Sequence, residues 1–198
     1  MTTGAPPPDA ESTVALTTPN DHVSIVSSSP VETQRIAAWL ADRLFPSAIV
    51  LLDGDLGAGK TTFAQGFAAA YGVLGPIPSP TFTIINEYEG DQVGQPKPRL
   101  FHIDLYRLTN LEDLESIGWD ELLAIRDAVT LVEWPRRAQD HLPEDALIVR
   151  FDVLGPDTRR ITLVPLGSPP ILPPWPTSLE AALKTPPNSH LLATDPGS

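Results

Sequence analysis

The sequence contains no cysteine, which excludes disulfide bonds, thiol catalysis and zinc–thiolate sites. It also lacks any apolar run that approaches the ~18 residues of a membrane-spanning helix. The N-terminal residues carry neither the basic segment nor the apolar segment of a secretory signal peptide. Together these absences predict a cytoplasmic protein with no membrane association.

Basic residues are scarce. Lysine and arginine number 13 against 25 aspartates and glutamates, which gives a formal net charge of −12. A surface of this sign repels phosphate backbones, so we expect no stable direct binding to nucleic acid or to anionic membranes. A basic protein partner, or one local basic site, is still compatible with this charge.

Proline is distributed unevenly: of 23 prolines, five lie in residues 1–30 and nine in residues 165–198. Segments rich in proline, threonine and serine without hydrophobic periodicity are typical of disorder. The sequence therefore predicts a disordered extension over residues 1–21 and one globular domain over residues 22–166. A mostly disordered, Pro-rich tail is predicted over residues 167–198.

The central domain contains several strand-like segments. Continuous apolar runs over residues 48–53 and 128–133 predict strands buried on both faces, as in a parallel sheet. Residues 81–88 and 99–105 are separated by a turn-like segment and predict a hairpin. A terminal pair of strands is predicted at residues 146–153 and 159–164.

Helix signals lie between these strands. Ser29, followed by Pro30 and Glu32, forms a capping-box pattern that predicts a helix reaching about Leu44. Thr109 heads a second such pattern, and another helix is expected to begin near Lys60. The order of elements predicts an α/β fold with a mostly parallel central sheet, antiparallel edge strands and helices on both faces.

Residues 54–61, GDLGAGKT, follow a buried strand and open a helix, which is the context of a phosphate-binding loop. Glycines let successive N–H groups point inward, and the helix N-terminus adds its positive dipole end. Lys60 is expected to contact the β- and γ-phosphates and the Thr61 hydroxyl to ligate Mg²⁺. The predicted nucleotide-binding residues here are Gly54, Asp55, Leu56, Gly57, Ala58, Gly59, Lys60, Thr61 and Thr62.

The nucleotide base is indicated by a motif that the sequence lacks. GTPases of this class usually carry an N/T-K-x-D segment that reads guanine, and no such segment occurs here. The sequence therefore favours adenine, and we expect ATP with Mg²⁺ as the ligand.

Two carboxylates follow apolar strand segments: Asp104 after residues 100–103, and Glu133 after residues 130–132. In phosphate-loop proteins such a carboxylate helps to hold Mg²⁺. One of the two is expected to ligate the metal and the other to orient water as general base, and the sequence leaves the assignment open. Structural capping of a turn is the alternative for each.

Other polar and aromatic residues near these segments are ambiguous. Thr81 is either a sensor of the γ-phosphate or a strand-forming residue. His102 is interpreted as a packed histidine rather than a proton shuttle. Arg107 is expected to pair with the acidic helix that follows it rather than with a phosphoryl group. Trp134 either packs at the strand end or stacks on a ligand.

Five segments together resemble the TsaE family, formerly called YjeE. They are GDLGAGKTT (54–62), SPTFTIINEY (79–88), HIDLYRL (102–108), LESIGWDE (114–121) and LVEWP (131–135). The resemblance covers about residues 22–165, and it implies a P-loop α/β core. The two ends of the chain exceed the compact core of that family.

The resemblance also implies a function. Members are small bacterial P-loop ATPases that hydrolyse ATP slowly alone. They act with the TsaD and TsaB proteins, which install a threonylcarbamoyl group on adenosine 37 of tRNA, and hydrolysis is thought to reset that complex between turnovers. A small-molecule kinase, or a nucleotide switch with little hydrolysis, is the alternative.

By resemblance, the catalytic residues are Lys60, Thr81, Asp104 and Glu133. Asp104 holds a Walker B-like position, and Glu133 is a magnesium ligand or catalytic carboxylate. Looser matches suggest that residues 29–33 and a basic residue near the last strands, Arg159 or Arg160, help to hold the nucleotide. Of that pair, Arg160 is the expected nucleotide contact.

Overall fold

The computed structural model describes residues 22–73, 75, 77–92, 95–96 and 99–168. The predicted disordered extension over residues 1–21 lies outside the described residues. So does the predicted tail beyond Ser168. The described residues therefore fall almost entirely within the range 22–166 predicted for the globular domain.

Seven strands form one sheet in the order β1-β9-β8-β2-β7-β6-β3. A separate two-stranded ladder pairs β4 with β5. The strands are β1 (Val23–Ser27), β2 (Ile49–Gly54), β3 (Ile85–Tyr88), β4 (Asp91–Gln92), β5 (Gln95–Pro96), β6 (Arg99–Asp104), β7 (Ala128–Glu133), β8 (Ala146–Val153) and β9 (Arg159–Leu166).

The centre of the sheet is parallel and its edges are antiparallel. Strand β2 pairs in parallel with β7 and β8, and β7 pairs in parallel with β6. Strands β1, β9 and β3 join by antiparallel pairing. The predicted α/β class and sheet pattern are thus confirmed. Because parallel strands end at the same edge, the last residues of β2, β7 and β6 lie side by side.

Helices cover both faces, as predicted. They are α1 (Pro30–Ala41), α2 (Lys60–Ala70), α3 (Leu111–Ser116) and α4 (Trp119–Ala124), with a 3-10 helix over Pro135–His141. Alternate residues of β2 pack into different cores: Val50 and Leu52 with α1 and α2, and Leu51 with residues of α3 and α4. The buried apolar runs of the sequence therefore correspond to strands covered on both sides.

Helix boundaries differ from the sequence prediction by a few residues. Helix α1 ends at Ala41 rather than near Leu44, because the chain turns at Asp42, although Leu44 remains buried. Helix α3 begins at Leu111 with Asn110, not Thr109, as its N-cap. The Asn110 side chain accepts from the Asp113 N–H, and the Asp113 carboxylate accepts from the Thr109 N–H. The second capping pattern is therefore real but displaced by one residue.

The strand predicted over residues 81–88 is shorter in the structure. Only Ile85–Tyr88 pairs with β6, and residues before it form a turn. Ile84 has a φ of 67°, a left-handed conformation that β-branched residues rarely adopt. In this turn the Ile84 N–H donates to the Pro80 carbonyl, and nearby hydroxyl groups bond to a carboxylate of β6. Among the described residues, no helix combines the length and apolar character needed to cross a membrane.

Candidate functional site

The phosphate-loop sequence forms the predicted connection between β2 and α2. Gly57 and Gly59 have φ values of 75° and 108°, which residues with a Cβ avoid. Gly59 is the N-cap of α2, and no side chain among the described residues caps this helix. Its first N–H groups are therefore open to an anionic ligand, to which the helix dipole adds attraction.

Lys60 is buried at the start of α2. Its Nζ donates to the carbonyl oxygens of Gly54 (2.6 Å) and Asp55 (2.9 Å), and lies 3.8 Å from the centroid of the Trp134 ring. Burial lowers the pKa of the Lys60 ammonium, and the charges of Glu133 and Asp104 act in the opposite direction. Phosphate oxygens are stronger partners than these neutral groups, so the ammonium is available for exchange.

Glu133 ends β7 beside the loop, in register with Leu52 of β2. Glu133 is 2% exposed. The Thr61 hydroxyl donates to it, 3.0 Å from Oε1 and 3.2 Å from Oε2, and His102 Nε2 lies 2.9 Å from Oε1. Glu133 is thereby connected to the first turn of α2 and to the neighbouring strand β6.

Asp104 ends β6 in register with Glu133 and is equally buried. Its Oδ2 accepts from the hydroxyls of Ser79 (3.0 Å) and Thr81 (2.7 Å), and its Oδ1 accepts from the Tyr106 N–H (2.9 Å). These donors come from the turn before β3 and from the chain after β6. Asp104 is thus connected to the segment predicted to sense the γ-phosphate.

Trp134 follows Glu133 with a φ of 59° and covers the Lys60 ammonium. The Tyr106 ring lies 4.9 Å from the Trp134 ring, centroid to centroid. The left-handed backbone turns Trp134 out of the strand direction and towards the phosphate loop. The structure therefore places the tryptophan in the site, rather than only in the packing at the strand end.

A cavity of about 250 Å³ lies between these groups. It is lined by the phosphate loop, the turn before β3 and the ends of β6 and β7. The residues predicted to be catalytic all line it, namely Lys60, Thr81, Asp104 and Glu133. The structure thus assembles the predicted set in one place, while the chemical role of each member stays a prediction.

The basic residue that contacts the phosphate loop differs from the one predicted. Arg159, rather than Arg160, reaches the phosphate loop: its Nε donates to the Ala58 carbonyl (3.0 Å) and its Nη2 to the Gly57 carbonyl (3.3 Å). Arg160 is exposed and lies opposite Val26 and Asp152 in the sheet. Successive residues of a strand point to opposite faces, so the sequence alone could not choose between them.

Residues 29–33, the other loosely matched segment, form the N-terminus of α1. Ser29 is its N-cap, and the Ser27 hydroxyl bonds to the Thr33 hydroxyl over 2.8 Å. Strand β1 runs in the same direction as β8, because both are antiparallel to β9, and β8 is parallel to β2. The start of α1 therefore lies at the same edge of the sheet as the phosphate loop.

Sequence reasoning missed several contacts of the site. The Asp53 carboxylate is buried and accepts from Arg136 at 2.8 Å and 3.1 Å, which ties the end of β2 to the chain just after Trp134. Ser79 was not recognised as a partner of Asp104. Arg107, expected to pair with the acidic helix, donates to the Phe82 carbonyl instead. These pairs join distant residues, so spacing in the sequence carries no signal for them.

The donor set suits one class of metal. In the part of the chain that the structure describes, no three His, Cys, Asp or Glu side chains form a group able to hold an ion. A cation here would need a hydroxyl, one or two carboxylates, phosphate oxygens and water. Mg²⁺ prefers this combination, since it usually binds one or two carboxylates together with substrate phosphates.

Comparison with known proteins identifies relatives that share most of this domain. Residues 27–161 match the family model described as threonylcarbamoyl adenosine biosynthesis protein TsaE. The Bacillus subtilis tRNA threonylcarbamoyladenosine biosynthesis protein TsaE is 39% identical over 140 residues, which are 71% of this chain and 84% of that protein. The Treponema pallidum protein of the same name is 36% identical over 138 residues, 70% of this chain and 97% of that protein.

A solved structure is also similar. The crystal structure of YdiB from Bacillus subtilis superposes with a TM-score of 0.59 at 31% sequence identity. The match covers 82% of this chain and 91% of that one.

Proposed function

Because the chain belongs to the TsaE family, we propose that it is an ATP-binding and ATP-hydrolysing subunit in tRNA threonylcarbamoyladenosine biosynthesis. The observation that carries this proposal is the meeting of the phosphate loop, Thr61 and two strand-end carboxylates around one cavity. Nucleotide binding alone would need only the loop. Two buried carboxylates beside it add the means to hold a metal and to orient water.

Triphosphate binding is proposed to begin at the loop and the N-terminus of α2. The open N–H groups receive phosphate oxygens, and Lys60 exchanges its two carbonyl partners for them. A cavity of about 250 Å³ is smaller than the ~300–1,000 Å³ of a typical ligand pocket. We therefore place the phosphates inside it and the nucleoside towards Arg159 and the start of α1. The absence of a guanine-reading segment supports adenine.

Thr61 and Glu133 are the residues that would hold magnesium. Bound there together with phosphate oxygens and water, the ion would neutralise charge on the β- and γ-phosphates. The Thr61 hydroxyl can offer its oxygen to a cation while donating its proton to Glu133, as it does in the structure. We therefore assign Glu133 to the metal, directly or through a bound water.

Asp104 is proposed to orient the attacking water. It lines the cavity but lies one strand farther from the loop strand than Glu133. The water oxygen would bond to the γ-phosphorus as the bond to the β–γ bridging oxygen breaks, and its proton would pass towards the Asp104 carboxylate. Thr81, bonded to the same carboxylate, would report whether a γ-phosphate is present.

We propose that ATP hydrolysis by this chain acts on partner proteins. The formal charge of −12 disfavours direct tRNA binding, so tRNA would be held by the TsaD and TsaB proteins, in the cytoplasm. ATP hydrolysis would reset that complex between turnovers.

Phosphate release by the purified chain, with and without TsaB and TsaD, tests the proposal. We expect slow release from Mg²⁺–ATP by the chain alone, faster release with both partners, and repeated rounds of tRNA modification only when ATP is hydrolysed. Lys60→Ala provides the control without triphosphate binding. Release that never exceeds that of Glu133→Gln, even with partners, would favour a nucleotide switch, and a phosphorylated metabolite would favour a kinase.

A further inference from the structure

His102 is a buried histidine that lies beside the proposed metal site. It occupies the middle of the β6 segment that ends at Asp104, and it is 1% exposed. Its Nε2 lies 2.9 Å from Oε1 of Glu133 on the neighbouring strand. Sequence reasoning interpreted it as a packing residue, yet the ring carries a directed contact to a buried carboxylate.

The contacts of the ring indicate which nitrogen carries the proton. Nδ1 is buried without a hydrogen-bond partner among the described residues. A proton on Nδ1 would therefore be a buried donor with no acceptor, which costs free energy. An ionised carboxylate only accepts, so Glu133 needs a donor from His102. We therefore place the ring proton on Nε2, whose N–H donates to Oε1.

The orientation of the Glu133 carboxylate also needs more support from neighbouring groups than that of an aspartate would. Its side chain has one more rotatable bond than an aspartate, the residue that commonly helps to hold Mg²⁺ in phosphate-loop proteins. Thr61 contacts both carboxylate oxygens at similar distances, 3.0 Å and 3.2 Å, and so does not select one orientation. His102 contacts Oε1 alone. The histidine is therefore the contact that distinguishes the two oxygens.

We propose that His102 is a positioning residue that holds Oε1 of Glu133, so that Oε2 stays directed to a magnesium ion shared with Thr61. This inference rests on the proposed function, because it assigns His102 to the metal-binding step. Partners of this kind commonly change metal affinity by about 10–100-fold when they are removed. A histidine that only packed would change the free energy of unfolding instead.

The test compares nucleotide affinity with and without Mg²⁺ in three variants. His102→Gln keeps an N–H donor near the place of Nε2, whereas His102→Leu fills the space without a donor. His102→Asn keeps a donor but holds it too far from Glu133. Fluorescent ATP-analogue binding, titrated with Mg²⁺ and repeated in EDTA, measures the metal contribution without requiring turnover.

We expect the Leu and Asn variants to need at least about tenfold more Mg²⁺ for half-maximal effect, with unchanged affinity in EDTA. The Gln variant should stay within about threefold of the wild type. Thermal unfolding shows whether each variant is folded. If the Leu variant does not fold, the comparison of the Asn and Gln variants decides whether His102 positions Glu133.

Equal Mg²⁺ dependence in the Asn and Gln variants, or a wild-type value in the Leu variant, would overturn the role of His102. Wild-type protein that binds no nucleotide would instead overturn the proposed function, so the two failures are distinguishable.

Discussion

Asp104 and Glu133 end adjacent parallel strands in register, and both are 2% exposed, yet their surroundings differ. Glu133 bonds to Thr61 in the first turn of α2 and to His102 inside β6, so regular elements hold it. Asp104 bonds to Ser79 and to other groups in irregular segments. The Glu133 carboxylate is therefore held by a helix and a strand, whereas the Asp104 carboxylate is held by irregular segments that include a turn.

The difference follows from strand order. Strand β7 is next to the loop strand β2, and β6 is one position farther out. Glu133 therefore lies against the phosphate loop, where a metal bridging phosphate oxygens is expected. Asp104 faces the turn that contains Thr81. Two similar residues at equivalent strand ends thus have different neighbours. The proposed division of roles between them rests on this difference, and the following changes test it.

The largest effect on ATP binding is expected from removing the Lys60 ammonium, on which the charges of both carboxylates act. Lys60→Ala deletes the ammonium group that would pair with the β- and γ-phosphates. Hydrogen bonds to charged groups are worth about 1.5–3 kcal/mol each, so losing two should weaken ATP binding by at least ~100-fold. Titration calorimetry with Mg²⁺–ATP measures this. A dissociation constant within tenfold of the wild type would reject the loop as the site.

Glu133→Gln should lower the turnover number by about 1,000-fold, because the metal would lose its carboxylate while the shape of the side chain is kept. Single-turnover hydrolysis at saturating ATP measures the effect, and unchanged thermal unfolding is the control. Turnover within tenfold of the wild type would show that Glu133 is not needed for the reaction.

Asp104→Asn should reduce turnover by about 100-fold, because the amide cannot accept a proton from water. The same single-turnover assay is used, with ATP affinity as the control, which should stay within about threefold of the wild type. If this variant lost nucleotide affinity instead of turnover, Asp104 would belong to the binding machinery.

Thr81→Val should lower turnover by about tenfold, because the isosteric side chain removes one of two hydroxyl donors to Asp104 Oδ2. Ser79→Ala removes the other donor and is the matched variant, with a similar or smaller effect. Both are measured against Asp104→Asn. An additive loss when Thr81→Val is combined with Asp104→Asn would show that the hydroxyl acts independently of that carboxylate.

The smallest effect on the site is expected from Gly66→Ala, which lies far from both carboxylates along α2. A Cβ at Gly66 would overlap the backbone of Gln34, where α1 crosses closely. Chemical denaturation should show a loss of about 1–3 kcal/mol in the free energy of unfolding. ATP affinity and turnover of the folded fraction should be unchanged, and a large change in either would mean that this crossing supports the site.

Much of the fold followed from the sequence because its signals are local. The apolar runs ending at Asp53 and Glu133 and the glycine loop between strand and helix are contiguous patterns with one physical reading. The predicted strand over residues 81–88 was too long because the bonds from Ser79 and Thr81 to Asp104 hold those residues in a turn. Such a contact between segments overrides local propensity.

The candidate site was predictable in membership but not in geometry. The sequence identified Lys60 and both carboxylates by their motifs. It could not determine that β7 lies next to β2, so the division of roles between Glu133 and Asp104 stayed open. It also favoured Arg160, although Arg159 contacts the loop, because the facing of a strand depends on its partners in the sheet.

The proposed division of roles depends most on the assignment of the metal to Glu133 rather than Asp104. The direct test is ATP-analogue affinity measured with Mg²⁺ and in EDTA for Glu133→Gln and Asp104→Asn side by side. If Glu133 holds the metal, Mg²⁺ will no longer strengthen binding in Glu133→Gln, while Asp104→Asn keeps the full wild-type enhancement. Loss of the enhancement in Asp104→Asn, with Glu133→Gln unaffected, would contradict it.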